Sequence, residues 1–198
     1  MTLGPERRPG SEPRTRLPLP DTREEVEKRT HMVLEVYGER AMQVLRDMVK
    51  RGAGREVLGS VHDRPEDEQL GIDTYGENML ANIVRDLNLP AVIKGEHNNY
   101  RSENMSRLKP GAPYACFPID AFDNSSQYKR DLDTPPYTAV SGFLSFLPLP
   151  DEEPLPDEEG EPIGAVIGDI KENKLYMISR LGYPVVRDLE TGQERRIC

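Results

Sequence analysis

The sequence predicts an α+β domain in which long N-terminal helices pack on a largely antiparallel sheet. Apolar residues recur at helical spacing within residues 21–52 and again within 75–87, and short apolar runs bounded by turn residues follow them. This order of helices first and strands afterwards is typical of α+β domains and differs from alternating βαβ units. The 198 residues suit one domain.

The first helix is predicted from Asp21, as the N-cap with Glu24 three residues later, to the region of Gly52. One face of this helix is apolar or small, and it comprises Val26, Thr30, Val33, Tyr37, Ala41, Val44 and Met48. A second helix is predicted over Tyr75 to Leu87, because apolar residues repeat there at the same spacing and Pro90 blocks its extension.

The strands are predicted from short apolar runs. Three of them are Ala91 to Ile93, Tyr114 to Ile119 and Tyr137 to Phe146. Two hairpins follow, Gly164 to Ile170 with Lys174 to Ser179, and Val185 to Arg187 with Glu194 to Ile197.

Two segments are predicted to lie outside the packed domain, which we place at residues 21–198. Residues 1–20 hold five prolines and six charged residues, which predicts a disordered tail. Residues 147–162 hold five prolines and seven acidic residues, which predicts an exposed insertion, with a polyproline helix for a partner as the alternative.

Charge and composition narrow the classes of function. The net charge is -9, which argues against a nucleic-acid partner, since phosphate backbones require clustered Lys and Arg. No apolar run has the length of a membrane span, and Cys116 and Cys198 offer no disulfide framework. We expect a cytoplasmic protein that binds neither nucleic acid nor membrane.

A pair of carboxylates follows the run Tyr114 to Ile119. Asp120 and Asp123 stand three residues apart where the strand is expected to turn. With the Phe122 carbonyl and the Ser125 hydroxyl they offer the oxygen ligands that a hard cation prefers. The alternative is an ordinary turn, since Asp, Asn and Ser favour turns. A calcium-binding EF-hand around 123–133 is excluded, because the central Gly and terminal Glu are missing.

Other acids precede this segment in a characteristic order. Asp73 stands four residues before Glu77 at the start of the second helix, and Gly95-Glu96 closes a predicted strand. Taken separately, they are typical of a helix cap and a solvated strand end.

Together these motifs resemble the inositol monophosphatase superfamily, which includes fructose bisphosphatases and phosphoadenosine phosphatases. That family has Asp-x-x-x-Glu, then Gly-Glu, then Asp-Pro-[Ile/Leu]-Asp-Gly-[Thr/Ser]-[Thr/Ser]-Asn before an apolar strand. The similar segments here are Asp73 to Glu77, Gly95-Glu96, Asp120 to Gln127, Tyr137 to Ser141, and the later hairpin from Gly164 to Ser179. The resemblance runs from about residue 22 to the end.

The departures from the family pattern are mild. Ala121 replaces Pro, and Asn124 replaces Gly, where Asn is the next best residue if the backbone needs a positive φ. His97 follows Glu96 where the family commonly has a second acid.

The resemblance implies a metal site. Glu96, Asp120 and the Phe122 carbonyl would hold a first magnesium ion, and Asp120 would bridge to a second that Asp123 also binds. Glu77 would be an additional metal ligand or a structural acid. The family uses two or three ions, and one site looks complete here.

The resemblance also implies the roles of the remaining polar residues. Asp73 and Ser125 would orient the attacking water. Asn124, Ser125 and Ser126 would bind the phosphate of a small phosphorylated substrate, whose identity the sequence does not decide. A homodimer is one of the assemblies that the sequence leaves open.

The same resemblance implies that the fold is the N-terminal half of an αβαβα sandwich, with the C-terminal α/β half missing. The family completes its second metal site with a later Trp-Asp motif, and this sequence has no Trp. We therefore expect a magnesium-dependent phosphate monoester hydrolase that is incomplete or weakly active as this chain. The alternative is a catalytically inert relative that binds metal or a protein partner.

Overall fold

A computed structural model describes residues 17–61, 64–95, 100–130, 136–148, 160–180 and 182–197. Its helices are α1 (Arg23–Arg51), α2 (Gly71–Asp86) and the short α3 (Ser125–Lys129), with a 3-10 turn at Met105–Arg107. Its strands are β1 (Val57–Val61), β2 (Arg64–Leu70), β3 (Ala91–Gly95), β4 (Tyr100–Glu103), β5 (Pro113–Asp123), β6 (Tyr137–Phe146), β7 (Glu161–Asp169), β8 (Lys174–Ser179), β9 (Val185–Asp188) and β10 (Glu194–Arg196).

Eight of the strands form one sheet in the order β10-β9-β8-β7-β6-β5-β3-β4. Only β3 and β5 pair in parallel within it, and every other neighbouring pair is antiparallel. Strands β1 and β2 form a separate hairpin. The predicted α+β class is confirmed, and so are the two C-terminal hairpins.

The first helix begins at a different cap from the one predicted. Thr22, not Asp21, is the N-cap, and its Oγ1 accepts the backbone N–H of Glu25 at 3.2 Å. The helix ends at Gly52, whose left-handed φ of 63° lets its N–H reach the last carbonyls. Among the described residues, no helix combines the length and the apolar character needed to cross a membrane.

The second helix begins four residues earlier than predicted. The backbone N–H of Leu70 donates to Asp73 Oδ2 at 2.8 Å, so Asp73 supports the first turn. Helix α2 packs on β5 and α1, while α1 crosses β5, β6, β7 and β8. Both long helices therefore cover one face of the sheet, and the main core lies between them and that face.

The packed structure also starts before the predicted boundary at Asp21. The Arg29 guanidinium donates to the carbonyl oxygens of Pro18, at 2.7 Å, and Leu87, at 3.0 Å. The Asn88 amide donates to the Leu17 carbonyl at 2.9 Å. Leu17 and Pro18 thus contact α1 and the residue Asn88 just after α2, while residues 1–16 lie outside the described residues.

The predicted acidic insertion ends earlier than 162. Glu161 and Pro162 open β7, and Glu161 forms ion pairs with Arg23 at 2.5 Å and Arg180 at 2.9 Å. Residues 149–159 lie outside the described part of the chain.

Helix α2 approaches β5 closely at Gly76. A Cβ added there would lie 2.7 Å from the Cβ of Ala121, which cannot move without its backbone. We expect Gly76→Ala to lower the free energy of unfolding by about 1–3 kcal/mol through overpacking, although alanine otherwise favours a helix. At this chain length the melting temperature should fall by about 2–4 °C per kcal/mol, as calorimetry would measure.

Gly182→Ala is the matched control, because no described atom lies within 4 Å of its added Cβ. Equal melting temperatures for the two variants would contradict the close contact between α2 and β5.

Candidate metal centre

The carboxylates of Asp120 and Asp123 are brought to the same face of the sheet by a β-bulge. Asp120 is opposite Ala139 and Asp123 is opposite Tyr137, so three steps along β5 match two along β6. In a regular strand, residues three apart point to opposite faces. The extra residue cancels that alternation, so both Asp residues share the face of Ala139 and Tyr137, away from α1 and α2.

The residues inside the bulge are both buried. Ala121 lies under Gly76, and the Phe122 ring lies 5.2 Å from the Tyr128 ring in an edge-to-face arrangement. The Tyr128 hydroxyl donates to the Ala53 carbonyl at 2.9 Å, which ties α3 to the end of α1. The Phe122 side chain therefore anchors the strand end whose carbonyl was predicted to bind metal.

Strand β5 continues to Asp123, so the turn that was predicted to follow Ile119 begins at Asn124. Asn124 has φ 66° and ψ 26°, the left-handed region that was predicted for this substitution of Gly. The backbone N–H of Asn124 donates to Asp123 Oδ1 at 2.8 Å. Ser125 then opens α3, and the side chain of Ser126 lies outside the described atoms.

The acids of α2 occupy two different environments. Asp73 and Glu77 are both buried, and Asp73 supports the helix start through the Leu70 N–H. Glu77 reaches the end of β3, since a Cβ added to Gly95 would lie 2.3 Å from Glu77 Oε1. Gly95 is thus needed for close approach of this carboxylate.

Tyr37 also lies in this region, although the sequence pattern placed it only on the apolar face of α1. It is fully buried on α1, and its hydroxyl shares a hydrogen bond of 3.0 Å with Thr138 Oγ1. Burial raises the pKa of Tyr37, the charges of Asp120 and Glu77 raise it further, and the Thr138 hydrogen bond opposes the shift. The charges of Asp120 and Glu77 therefore both favour the protonated hydroxyl.

A cleft of about 410 Å³ lies beside Asp120 on the sheet face away from the helices. Its lining includes Lys94 and Gly95 from β3, Asp120 from β5, and Ser141 from β6. Oδ1 of Asp120 is shielded from solvent. The cleft has room for a small anion and carries a cationic side chain, Lys94, which the sequence patterns did not single out.

The structure describes only some of the predicted metal ligands. Glu96 and His97 fall within residues 96–99, outside the described chain. Among the residues that are described, no group of three or more His, Cys, Asp or Glu is arranged to hold a metal ion. The oxygen donors of Asp120, Asp123 and Glu77 have the chemistry that magnesium prefers.

Comparisons with solved structures identify the fold. The chain is similar to Leishmania major fructose-1,6-bisphosphatase, with a TM-score of 0.55, 13% identity, and coverage of 85% of this chain and 53% of that one. It is also similar to Mycobacterium tuberculosis SuhB, with a TM-score of 0.53, 12% identity, and coverage of 87% and 52%. An inositol monophosphatase-fructose 1,6 bisphosphatase matches with a TM-score of 0.53, 15% identity, and coverage of 84% and 53%.

These matches confirm the predicted resemblance at the level of the fold. The chain spans about half the length of the structures that it matches. No protein-family model matches the chain, and no curated protein sequence matches it.

The buried Tyr37 hydroxyl predicts a pH effect on stability. Because the folded-state pKa lies above the ordinary value of 10.0, its stabilisation is complete below about pH 10 and is lost as the pH rises further. Tyr37→Phe should lower the free energy of unfolding at neutral pH by about 1–3 kcal/mol, since the buried Thr138 hydroxyl loses its partner. Urea unfolding measured from neutral to alkaline pH should show a shallower alkaline decline than in the unmodified chain.

Tyr183→Phe provides the control, because the Tyr183 side chain is 66% exposed. The assignment fails if both variants decline as steeply as the unmodified chain above pH 10.

Proposed function

We propose that this chain carries the metal-binding half of a magnesium-dependent phosphate monoesterase of the inositol monophosphatase type. The supporting observation is the β5 bulge, which puts Asp120 and Asp123 on one face of the sheet, with Asp120 lining a cleft. The related fold adds support, because one solved structure with that fold is named as an inositol monophosphatase-fructose 1,6 bisphosphatase.

The proposed magnesium ligands are Glu96, Asp120, Asp123 and the Phe122 carbonyl, with Glu77 as an additional or structural acid. When bound, magnesium lowers the pKa of a water ligand and neutralises charge on a phosphate. Two ligands come from one strand end, so the bulge fixes their separation.

The other residues would act on water and phosphate. Asp73 is held by the Leu70 N–H, and such a fixed carboxylate suits the orientation of an attacking water, with the Ser125 hydroxyl as its second partner. The turn of Asn124, Ser125 and Ser126 would bind phosphate oxygens. Lys94 lines the cleft and would attract the anionic substrate.

A second candidate function is binding without catalysis, as a metal-binding or protein-interaction module. The observation that favours it is the absence of Trp, and so of the family's Trp-Asp motif, from this sequence. In-line phosphoryl transfer needs charge stabilised on both the attacking and the leaving oxygen. A chain with one complete site would therefore bind magnesium but turn over slowly.

Magnesium binding should stabilise the fold. At a free concentration one hundred times the Kd, the expected gain is about 2.7 kcal/mol, which a thermal-shift titration would detect. Asp120→Asn/Asp123→Asn should abolish most of this gain, because amides are weaker magnesium ligands than carboxylates.

The matched control is Asp47→Asn/Asp86→Asn, which removes the same charge from the exposed surfaces of α1 and α2. If magnesium stabilises the Asp120→Asn/Asp123→Asn variant as much as this control, the proposed site is wrong.

Phosphate release separates the two candidate functions. The chain alone should hydrolyse inositol phosphates, fructose bisphosphate and phosphoadenosine phosphate only feebly, with the residual rate lost in Asp73→Asn. Rapid magnesium-dependent turnover would contradict the inference that the second metal site is incomplete. Magnesium binding with no turnover at all would favour the binding module.

A further inference from the structure

A second cleft, which we call the α1 cleft, lies between one side of α1 and two turns of the sheet. It is lined by α1 residues within 39–51, by Asn173 in the turn from β7 to β8, and by Leu189 in the turn from β9 to β10. Its volume is about 810 Å³, within the range of about 300–1,000 Å³ that small-molecule sites have. Among the described residues, none lines both this cleft and the cleft beside Asp120.

The sheet side of the α1 cleft is held in place by contacts between its two turns. The backbone N–H of Leu189 donates to the Asn173 carbonyl at 3.0 Å, which joins one turn to the other. Asn173 has a φ of 55°, in the left-handed region that Asn adopts more readily than most residues. The Leu189 side chain packs against the main core. The wall opposite α1 is therefore part of the packed fold.

The α1 cleft carries an excess of positive charge. Each acid that lines it already pairs with an arginine, Asp47 with Arg51 at 3.0 Å and Glu39 with Arg187. Arg46 and Lys50 also line the cleft, and neither forms an ion pair with a described residue. The helix dipole favours Lys50 in the last turn, but Arg46 lies one turn earlier. These two cations are available to an anion.

The Asn173 side chain adds a neutral donor to the α1 cleft. Asn173 is only 8% exposed, yet its side-chain amide forms no hydrogen bond with any described residue. A buried amide without a partner carries a free-energy cost that a bound acceptor removes. Arg46 and Lys50 stand four residues apart and are neighbours on the helix surface. The cleft thus offers three side-chain donors, two of them charged.

We propose that the α1 cleft binds a small phosphate monoester through its phosphate group. A monoester has three terminal oxygens that accept hydrogen bonds, one for each of Arg46, Lys50 and Asn173, whereas a carboxylate has only two oxygens. The planar guanidinium of Arg46 matches phosphate oxygens in geometry. Val44 and Leu189 add apolar surface to the lining, which suits an apolar organic group on the ester.

The α1 cleft is independent of the proposed magnesium site and is tested on the full chain after dialysis against EDTA. Calorimetric titration with phenyl phosphate should show saturable binding at one site per chain. Arg46→Gln/Lys50→Gln should raise the Kd at least tenfold, because two charge-assisted hydrogen bonds are lost. Lys28→Gln/Arg40→Gln is the matched control, since it removes the same charges from exposed positions of α1 outside the cleft, and its Kd should be unchanged.

Three further comparisons assign the binding to this cleft and to phosphate. Asn173→Gly removes the amide but keeps a residue that adopts a positive φ, and it should also weaken binding. Lys94→Gln, in the cleft beside Asp120, should leave the Kd unchanged. Benzoate should bind at least tenfold more weakly than phenyl phosphate, and circular dichroism verifies that each variant is folded.

Four results would overturn the proposal. They are the absence of saturable binding, equal Kd values for Arg46→Gln/Lys50→Gln and its control, a Kd that changes only in Lys94→Gln, and benzoate binding as tight as that of phenyl phosphate.

Discussion

The candidate site depends on one local constraint, the extra residue in β5 between Asp120 and Asp123. Without it, strand alternation would send one carboxylate into the core, where an unpaired charge is costly. The bulge instead turns Ala121 and Phe122 inward and leaves both carboxylates on the outer face. Residues that replace Ala121 and Phe122 would still have to fit under Gly76 and pack beside Tyr128.

The same constraint joins the site to the stability of the fold. Helix α2 approaches β5 closely at Gly76, and this contact brings Glu77 against Gly95 at the end of β3. The nearby Tyr37 hydroxyl remains protonated because its surroundings are both buried and anionic. The position of Glu77 therefore depends on the same contact that packs α2 on β5.

The fold was largely predictable because most of its elements have strong local patterns. The bounds of β6 and β8 were predicted correctly, and the N-cap of α1 is one residue later than predicted. The β1–β2 hairpin and β4 were missed, since β2 reads Arg-Pro-Glu-Asp-Glu-Gln-Leu and β4 reads Tyr-Arg-Ser-Glu, with no apolar alternation. Within the candidate site, the positive φ of Asn124 was predictable from its place in the motif. The bulge in β5 and the role of Tyr37 depend on tertiary packing, which periodicity does not report.

The central claim is that Asp120 and Asp123 bind one cluster of divalent cations on the outer face of the sheet. Manganese replaces magnesium at oxygen-rich sites and gives an anomalous X-ray signal, so a crystal soaked in manganese tests this claim most directly. The account predicts an anomalous peak within about 2.1–2.3 Å of carboxylate oxygens from both residues. A fully soaked crystal with no peak there, or with manganese only at other acids, would contradict it.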